Sequence, residues 1–106
     1  MSWRRGLAWK IEFDEKALHD LKKLAKPIQK KIISYLKERI ANLEDPRSSG
    51  KSLTGVSFRG IWRYRVENYR ILCSIEDAVL TILVVAVGHR SKIYDKNISV
   101  PGYEIL

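Results

Sequence analysis

The sequence has little of what metal sites and disulfides require. Cys73 is the only cysteine, and His19 and His89 are the only histidines among 106 residues. A single cysteine excludes an internal disulfide, and two histidines so far apart form no recognisable metal-ligand spacing. We therefore expect no bound metal and no cofactor. We also expect a reducing compartment, most simply the cytoplasm.

Long hydrophobic runs are absent as well. The longest, at residues 82–87, is far too short to cross a bilayer, and the opening MSWRRGLAWK has no apolar signal core. These features predict a protein with no membrane contact. The hydrophobic content of 45% at this length is typical of a single globular domain, here residues 1–106.

Acidic residues are scarce, with 12 Asp plus Glu against 20 Lys plus Arg, a net charge of +8. Residues 51–70 contain five basic residues and one acid, and residues 88–96 contain three basic residues and one acid. Residues 14–45, by contrast, mix eight basic residues with six acids. A surface that only had to be soluble would mix its signs throughout. The concentration of positive charge therefore indicates a polyanionic partner, most often nucleic acid.

Hydrophobic periodicity predicts an α+β fold. Alternation over residues 9–13 indicates a short strand, and Asp14 is a candidate N-cap for a first helix. Pro27 suits the first turn of a second helix, whose apolar stripe continues to Leu43. Residues 46–55 are a loop by composition. Three β-rich runs follow at residues 61–66, 69–76 and 79–87, separated by two residues each, as in tight hairpins.

The predicted order is β-α-α-β-β-β, in which a helical hairpin covers one face of a mainly antiparallel sheet. After residue 88 the chain forms either a loop or a short helix. Residues 97–106 are expected to form an irregular tail.

A two-residue turn at Glu67-Asn68 fixes the register of the first hairpin. Arg63, Arg65 and Arg70 then share one face, and Arg65 lies directly opposite Arg70, at a cost of ~0.2–1 kcal/mol. One interpretation is a solvated outer face neutralised by an acid from elsewhere; the other is a phosphate site, which the arginine fork suits. The opposite face, expected to lie on the helices, carries Trp62, Tyr64, Val66, Tyr69, Ile71 and Cys73.

A second two-residue turn, at residues 77–78, would place Arg70 beside Val85 and keep His89 on the arginine face if no bulge intervenes. The following basic segment then leaves the sheet close to the arginines. We expect an exposed, charged site formed by Arg63, Arg65, Arg70, Arg90 and Tyr94.

The ordered motifs W-R-x-R-V-x-x-Y-R, V-G-H-R and a final Tyr resemble those of the RelE toxins, the RNA-cleaving half of toxin–antitoxin pairs. The likeness extends through nearly the whole chain, including the loop NLEDPRSSGKSLTG. It implies a RelE-like fold and a type II toxin that is a metal-independent endoribonuclease (mRNA interferase). Such a toxin cuts messenger RNA in the ribosomal A site by attack of the 2′-hydroxyl and so inhibits translation.

The resemblance also implies partners and residue roles. The partners are a RelB-like antitoxin that wraps the toxin, the ribosome with its messenger and ribosomal RNA, and operator DNA through the antitoxin complex only. Arg63 and Arg65 would engage the scissile region, Arg70 and Arg90 would contact and stabilise the phosphate, and Tyr94 would work in proton transfer.

The sequence departs from the family pattern at several of these positions. Relatives often carry lysine at 63 and 65, and an arginine essentially cannot lose its proton. Any acid or base role of those lysines must therefore move, to Tyr94 or to His89, which titrates near neutrality by default. His89 is equally a strand-end residue without a role. Thr54 replaces a basic residue of some members.

Further basic residues are candidates for RNA contacts, namely Lys51, Arg59 and Lys92. The helix lysines either bind ribosomal RNA phosphates or form a solvated face: Lys22, Lys23, Lys26, Lys30 and Lys31. We expect Trp62, Tyr64 and Tyr69 to be core residues, and Cys73 to be buried.

Two other functions stay open. A ParE-like toxin would share the fold but poison DNA gyrase, and it would not need the arginines together with Tyr94. A non-catalytic basic RNA-binding module would explain the charge but not the tyrosine. Salt-dependent RNA binding without strand scission would identify that module.

Overall fold

A computed structural model describes residues 8–95 of the chain. The predicted tail at residues 97–106 lies outside the described residues. The strands are β1 (Lys10–Phe13), β2 (Lys51–Ser52), β3 (Ile61–Val66), β4 (Tyr69–Glu76) and β5 (Thr81–His89). They form one sheet in the order β1-β5-β4-β3-β2. The helices are α1 (Glu15–Lys22) and α2 (Lys26–Ser34), and a wider π-helical segment, Tyr35–Ile40, continues α2.

The α+β class and the β-α-α-β-β-β order are confirmed, with one additional strand. β2 lies within residues 46–55, which were predicted as a loop, and pairs antiparallel with β3. Composition could not reveal it, because a two-residue edge strand has no periodicity of its own and forms only where a neighbouring strand offers a free edge. The segment before it is held in place by the buried Tyr64 hydroxyl, which donates to the Pro46 carbonyl at 2.8 Å.

The helices begin as the sequence predicts. The Asp14 carboxylate caps α1 by accepting from the Ala17 amide at 2.8 Å, and Pro27 lies in the first turn of α2. The helical segment ends at Ile40, before the expected Leu43. Its apolar residues recur every four positions. Four residues of an α-helix turn ~40° beyond a full revolution, so the apolar stripe drifts around the helix at each step. The wider last turn, in which the Ala41 amide donates to the Leu36 carbonyl, offsets that drift, and Ile40 is fully buried.

The first hairpin has the predicted register. Arg63 lies opposite Leu72, and Arg65 lies directly opposite Arg70. Glu67 begins the turn with a φ of 55°, in the left-handed region. Two cations therefore face each other across β3 and β4.

The second hairpin differs from the prediction. Its turn spans four residues, Asp77 to Leu80, so that Glu76 pairs with Thr81. The apolar Val79 and Leu80 were assigned to a strand from their β-propensity, but Val79 belongs to a 3₁₀ turn and Leu80 is left-handed, with a φ of 48°. Tertiary geometry overrides propensity here, as it often does for short apolar runs.

A β-bulge between Leu72 and Cys73 shifts the β4–β5 register further. Arg70 consequently pairs with Gly88 and not with Val85, and His89 pairs with Tyr69. The expectation that His89 shares the face of Arg70 is wrong, because directly paired residues lie on the same face and Tyr69 belongs to the other one.

The main core lies between the helices and one face of the sheet. It includes Tyr64, Ile71 and Cys73, with Trp62 and Tyr69 packed against it, as the sequence predicts. No helix within residues 8–95 is both long and apolar enough to span a bilayer.

The opposite face carries a second, smaller core that the sequence did not predict. Buried residues of the sheet and of the C-terminal 3₁₀ turn Ile93–Asp95 meet there under side chains from residues 53–58. The members are Ile61, Leu72, Val85, Ala86 and Ile93, with Leu53, Phe58 and Leu83 packed around them. We call this group the small core. It shares its face of the sheet with the arginines of β3 and β4.

Candidate functional site

Arg70 is the centre of the candidate site. It lies on β4 and is only 9% exposed, so the expectation of an exposed position is wrong for this residue. Its Nη1 donates to the carbonyl oxygens of Glu67 and Tyr69, at 3.1 Å and 3.0 Å, which fixes the guanidinium beside the β3–β4 turn.

The predicted cations converge on this guanidinium. Burial is the largest influence and lowers the pKa of Arg70, and the nearby cations Arg65, Arg63 and Arg90 lower it further. Tyr94 acts on the same pKa in the opposite direction. Residues from three separate stretches of the chain therefore lie within electrostatic reach of one buried cation. We call Arg63, Arg65, Arg70 and Arg90 the arginine cluster.

Acids within residues 8–95 do not neutralise the cluster through ion pairs. Glu67, the acid next to it in sequence, is paired with Lys31 of α2. Other ion pairs of this part of the chain join Lys10 to Glu12 and Arg47 to Asp45 and Asp77. A cluster of like charges that forms no ion pair with acids of the described residues is unfavourable to folding and favourable to binding an anion.

Arg63 and Arg65 occupy β3 in different environments. Arg65 is exposed, whereas Arg63 is half-buried and its Nε has no hydrogen-bond partner within the described chain. Buried N–H groups without an acceptor are rare in folded proteins. The Arg63 Nε–H is thus a donor for which residues 8–95 supply no acceptor.

Arg90 directly follows β5, and its backbone N–H donates to the Asn68 carbonyl at 2.8 Å. That hydrogen bond continues the sheet pairing by one residue and brings the exposed Arg90 next to the β3–β4 turn. The turn thus positions both Arg70, through its carbonyls, and Arg90.

Tyr94 is held at the site by the small core. Ile93 is fully buried, and the Tyr94 ring stands edge-on to Phe58, with centroids 6.0 Å apart and an interplanar angle of 89°. Tyr94 itself is 40% exposed, so part of its side chain faces solvent. Sequence reasoning missed Phe58 and Ile93. The available signal was an apolar residue, Ile93, within an otherwise basic segment.

His89 is at the end of β5 but outside the arginine cluster. Its ring contacts Tyr69, with centroids 5.6 Å apart, on the helix-covered face of the sheet. Its Nδ1 accepts from the Ser91 backbone N–H at 3.1 Å. This geometry favours its interpretation as a strand-end residue.

The other predicted RNA contacts lie at various distances from the cluster. Lys51 pairs with Arg63 in the sheet, and the exposed Arg59 and Lys92 lie in the segments that flank the small core. The helix lysines are exposed on α1, α2 and their connection: Lys22, Lys23, Lys26, Lys30 and Lys31. They belong to the helical layer, on the face of the sheet opposite Arg70.

The arrangement can bind and polarise an anion. Four guanidinium groups offer planar pairs of N–H donors that match phosphate oxygens, and Tyr94 adds a hydroxyl that can exchange a proton. No group of three or more His, Cys, Asp or Glu within residues 8–95 is placed to hold a metal ion.

Comparison with known proteins agrees with this fold. Residues 11–94 match the family described as ParE toxin of type II toxin-antitoxin system, parDE. The chain is 27% identical to the mRNA interferase toxin RelE of Escherichia coli over 92 residues, which cover 85% of this chain and 94% of the relative.

Solved structures show the same architecture. The toxin–antitoxin complex RelBE2 from Mycobacterium tuberculosis gives a TM-score of 0.71 at 26% identity, over 79% of this chain and 93% of the matched one. The RelB-RelE antitoxin-toxin complex from Methanococcus jannaschii gives a TM-score of 0.58 at 27% identity, over 79% of this chain and 95% of the matched one. The chain therefore belongs to the ParE toxin family of type II toxin–antitoxin systems, as a RelE-type toxin of the RelE/ParE superfamily.

Proposed function

We propose that this toxin is a ribosome-dependent endonuclease that cuts messenger RNA in the ribosomal A site. The observation that carries the proposal is the convergence of Arg63, Arg65, Arg90 and Tyr94 on the buried Arg70. These arginines form no ion pair with the acids of residues 8–95, so their guanidinium groups are available to hold and polarise a phosphate. The likeness to the Escherichia coli mRNA interferase supports the same activity.

The reaction is an intramolecular transfer of the phosphate. The 2′-oxygen attacks the adjacent phosphorus, a new P–O2′ bond forms, and the P–O5′ bond breaks. The products are a 2′,3′-cyclic phosphate and a 5′-hydroxyl, with one proton lost at O2′ and one gained at O5′. The pentacovalent intermediate carries more negative charge than the ground state, so fixed cations lower its energy selectively.

In this proposal, Arg70 and Arg90 contact and stabilise the scissile phosphate. Arg70 is held in advance by its two hydrogen bonds to carbonyl oxygens, and it needs no rearrangement when charge develops. Arg90 approaches from the other side of the turn. Arg63 and Arg65 engage the RNA next to the scissile bond.

Tyr94 is the proton-transfer group in this proposal. Arginine does not give up its proton in proteins, so the arginine cluster supplies charge only. A neutral phenol can donate to the departing 5′-oxygen. The proton of the 2′-hydroxyl passes to water. His89 takes no part, because it lies on the other face of the sheet.

The partners follow from the same proposal. The toxin binds the ribosome and its message through its basic surface, with the helix lysines on ribosomal RNA phosphates. A RelB-like antitoxin wraps it and blocks the cluster, and operator DNA is bound through that complex only. Structures of toxin–antitoxin complexes among the similar proteins support the antitoxin partner.

Inhibition of DNA gyrase is the second candidate, because the matching family description names ParE toxins. That activity requires a protein interface and no proton-transfer group. The two candidates therefore differ in whether Tyr94 matters.

The test is a cell-free translation reaction on one defined message, with cuts mapped by primer extension. The wild-type toxin should cut within translated codons and leave 5′-hydroxyl ends that a kinase labels directly. Arg70→Ala should lower the cleavage rate by about 10²–10³-fold. Tyr94→Phe should lower it by about 10²-fold or more, since one proton-transfer group contributes about 10²–10⁴.

Two controls separate chemistry from folding. Because Arg70 is buried, Arg70→Ala is compared with wild type by thermal unfolding, whereas the exposed Tyr94→Phe tests the site without disturbing the core. Lys37→Gln, at an exposed helical position, should cut as wild type does. Absence of cuts with translation unimpaired would overturn the proposal, and a gyrase supercoiling assay would then test the second candidate.

A further inference from the structure

A cleft adjoins the arginine cluster at the β2 edge of the sheet. Its volume is about 400 Å³, and its lining consists of Tyr35, Ser49, Gly50, Lys51, Arg63 and Arg65. We call it the edge cleft. It shares Arg63 and Arg65 with the cluster but is not lined by Arg70, Arg90 or Tyr94. Tyr35 and Ser49 have no part in the function proposed above.

The walls of the edge cleft are fixed by the fold. Lys51 pairs directly with Arg63 across β2 and β3, so the two cations stand side by side. Gly50 packs against the ring of the buried Tyr64, so closely that a Cβ added at Gly50 would lie 2.8 Å from Tyr64 Cε1. A larger residue at Gly50 would have to displace the Tyr64 ring, so this wall of the cleft depends on glycine.

The lining of the edge cleft carries positive charge and no negative charge. It contains three cations and two hydroxyl groups and no carboxylate. The Arg63 Nε–H is buried and has no acceptor within residues 8–95, so the described chain leaves one donor of this guanidinium unused. Burial raises the pKa of Tyr35, which keeps its phenol neutral and able to donate. Every polar group in the lining can therefore serve an anion.

We propose that the edge cleft binds a second phosphate of the same RNA strand, next to the scissile phosphate held by Arg70 and Arg90. This inference rests on the function proposed above. Arg63 and Arg65 are alternate residues of β3, so their Cα atoms lie ~7 Å apart and their side chains share one face of the sheet. They can therefore contact successive positions along an RNA strand. Single-stranded RNA exposes its phosphates in this way, and basic grooves follow its backbone.

The test uses a trinucleotide of 2′-O-methyl RNA, which has two phosphate linkages and no free 2′-hydroxyl, so it binds without being cut. The toxin is labelled with ¹⁵N and titrated by NMR up to millimolar concentration. The backbone amides of residues 49–51 and the Arg63 Nε–H report on the edge cleft. The Nε–H of Arg70 and the amide of Arg90 report on the scissile phosphate.

Two further trinucleotides each carry one uncharged methylphosphonate linkage. Neutralising one linkage should abolish the shifts in the edge cleft and spare those at Arg70, and neutralising the other should do the reverse. Lys51→Gln should weaken binding of the fully charged trinucleotide about two- to fivefold. Lys51→Gln should not change the affinity for the trinucleotide whose edge-cleft linkage is neutral. Lys37→Gln should change the affinity for neither trinucleotide.

The inference is overturned if both sets of reporters respond to the same linkage, or if residues 49–51 and Arg63 show no shift at millimolar trinucleotide. These results are distinguishable from failure of the proposed function. A toxin that cuts messages, but whose reporters follow a single linkage, lacks the second subsite. A toxin whose edge cleft senses one linkage, but which cuts no message, binds RNA in this way without being the nuclease.

Discussion

Replacing Arg65 with glutamine should stabilise the folded toxin. Arg65 is exposed on β3, directly opposite the buried Arg70, and the ion pairs within the described chain do not involve it. Like charges paired across strands cost ~0.2–1 kcal/mol, and Arg63 and Arg90 add to the repulsion. We expect the free energy of unfolding to rise by about 0.5–1 kcal/mol at low salt, which raises Tm by about 2–8 °C for a domain of this size.

The assay is urea and thermal unfolding of wild type and Arg65→Gln at low salt and again at about 1 M salt. At the higher ionic strength the Debye length falls to ~3 Å, so most of the difference between the two proteins should disappear. The same substitution should reduce RNA cleavage. Stability and activity would then move in opposite directions, which is the behaviour of a cation retained for binding.

Lys37→Gln is the matched control. It removes one positive charge from the exposed surface of the helical segment and should leave Tm nearly unchanged. If Arg65→Gln instead lowers the free energy of unfolding, or raises it equally at both salt concentrations, then the charge repulsion inferred for the cluster is refuted.

Two other changes should have measurable effects. Burial raises the pKa of the Cys73 thiol, so the native state keeps a proton that the unfolded chain loses above pH ~8.5. The free energy of unfolding should then fall by about 1.4 kcal/mol per pH unit from there, and Cys73→Ala should flatten this slope between about pH 8.5 and 10 in urea titrations. Phe58→Leu removes the edge-to-face contact with Tyr94, which is worth about 0.5–1.5 kcal/mol. Because that contact positions Tyr94, the rate of RNA cleavage should fall about 2- to 10-fold. In a Tyr94→Phe background, the same substitution should leave the cleavage rate unchanged.

The parts of the fold that sequence reasoning predicted are those governed by local chemistry. Asp14, Pro27 and the Glu67-Asn68 turn each act on their immediate neighbours, and the β3–β4 register follows from that turn alone. The pairing of Arg65 with Arg70 was therefore predictable, and with it the centre of the candidate site.

The parts that it missed depend on contacts between distant segments. The bulge after Leu72 and the four-residue turn before Thr81 are fixed by how β5 packs against β4, and they move His89 to the other face. The small core needs Phe58 and Ile93 to meet across the sheet. Arg70 is buried on the same face of the sheet, and charge patterning alone could not predict that burial.

The parallel pairing of β1 with β5 has a consequence for synthesis of this toxin. β1 precedes the other described strands in the chain, yet its partner in the sheet is β5, the last of them, in the register that sets Lys10 beside Thr81. Arg90 and Tyr94 emerge later still. While the chain is being made, neither the sheet nor the arginine cluster can be complete, because such long-range contacts form only once both segments have left the exit tunnel. A nascent toxin thus carries an unfinished site through most of its own translation.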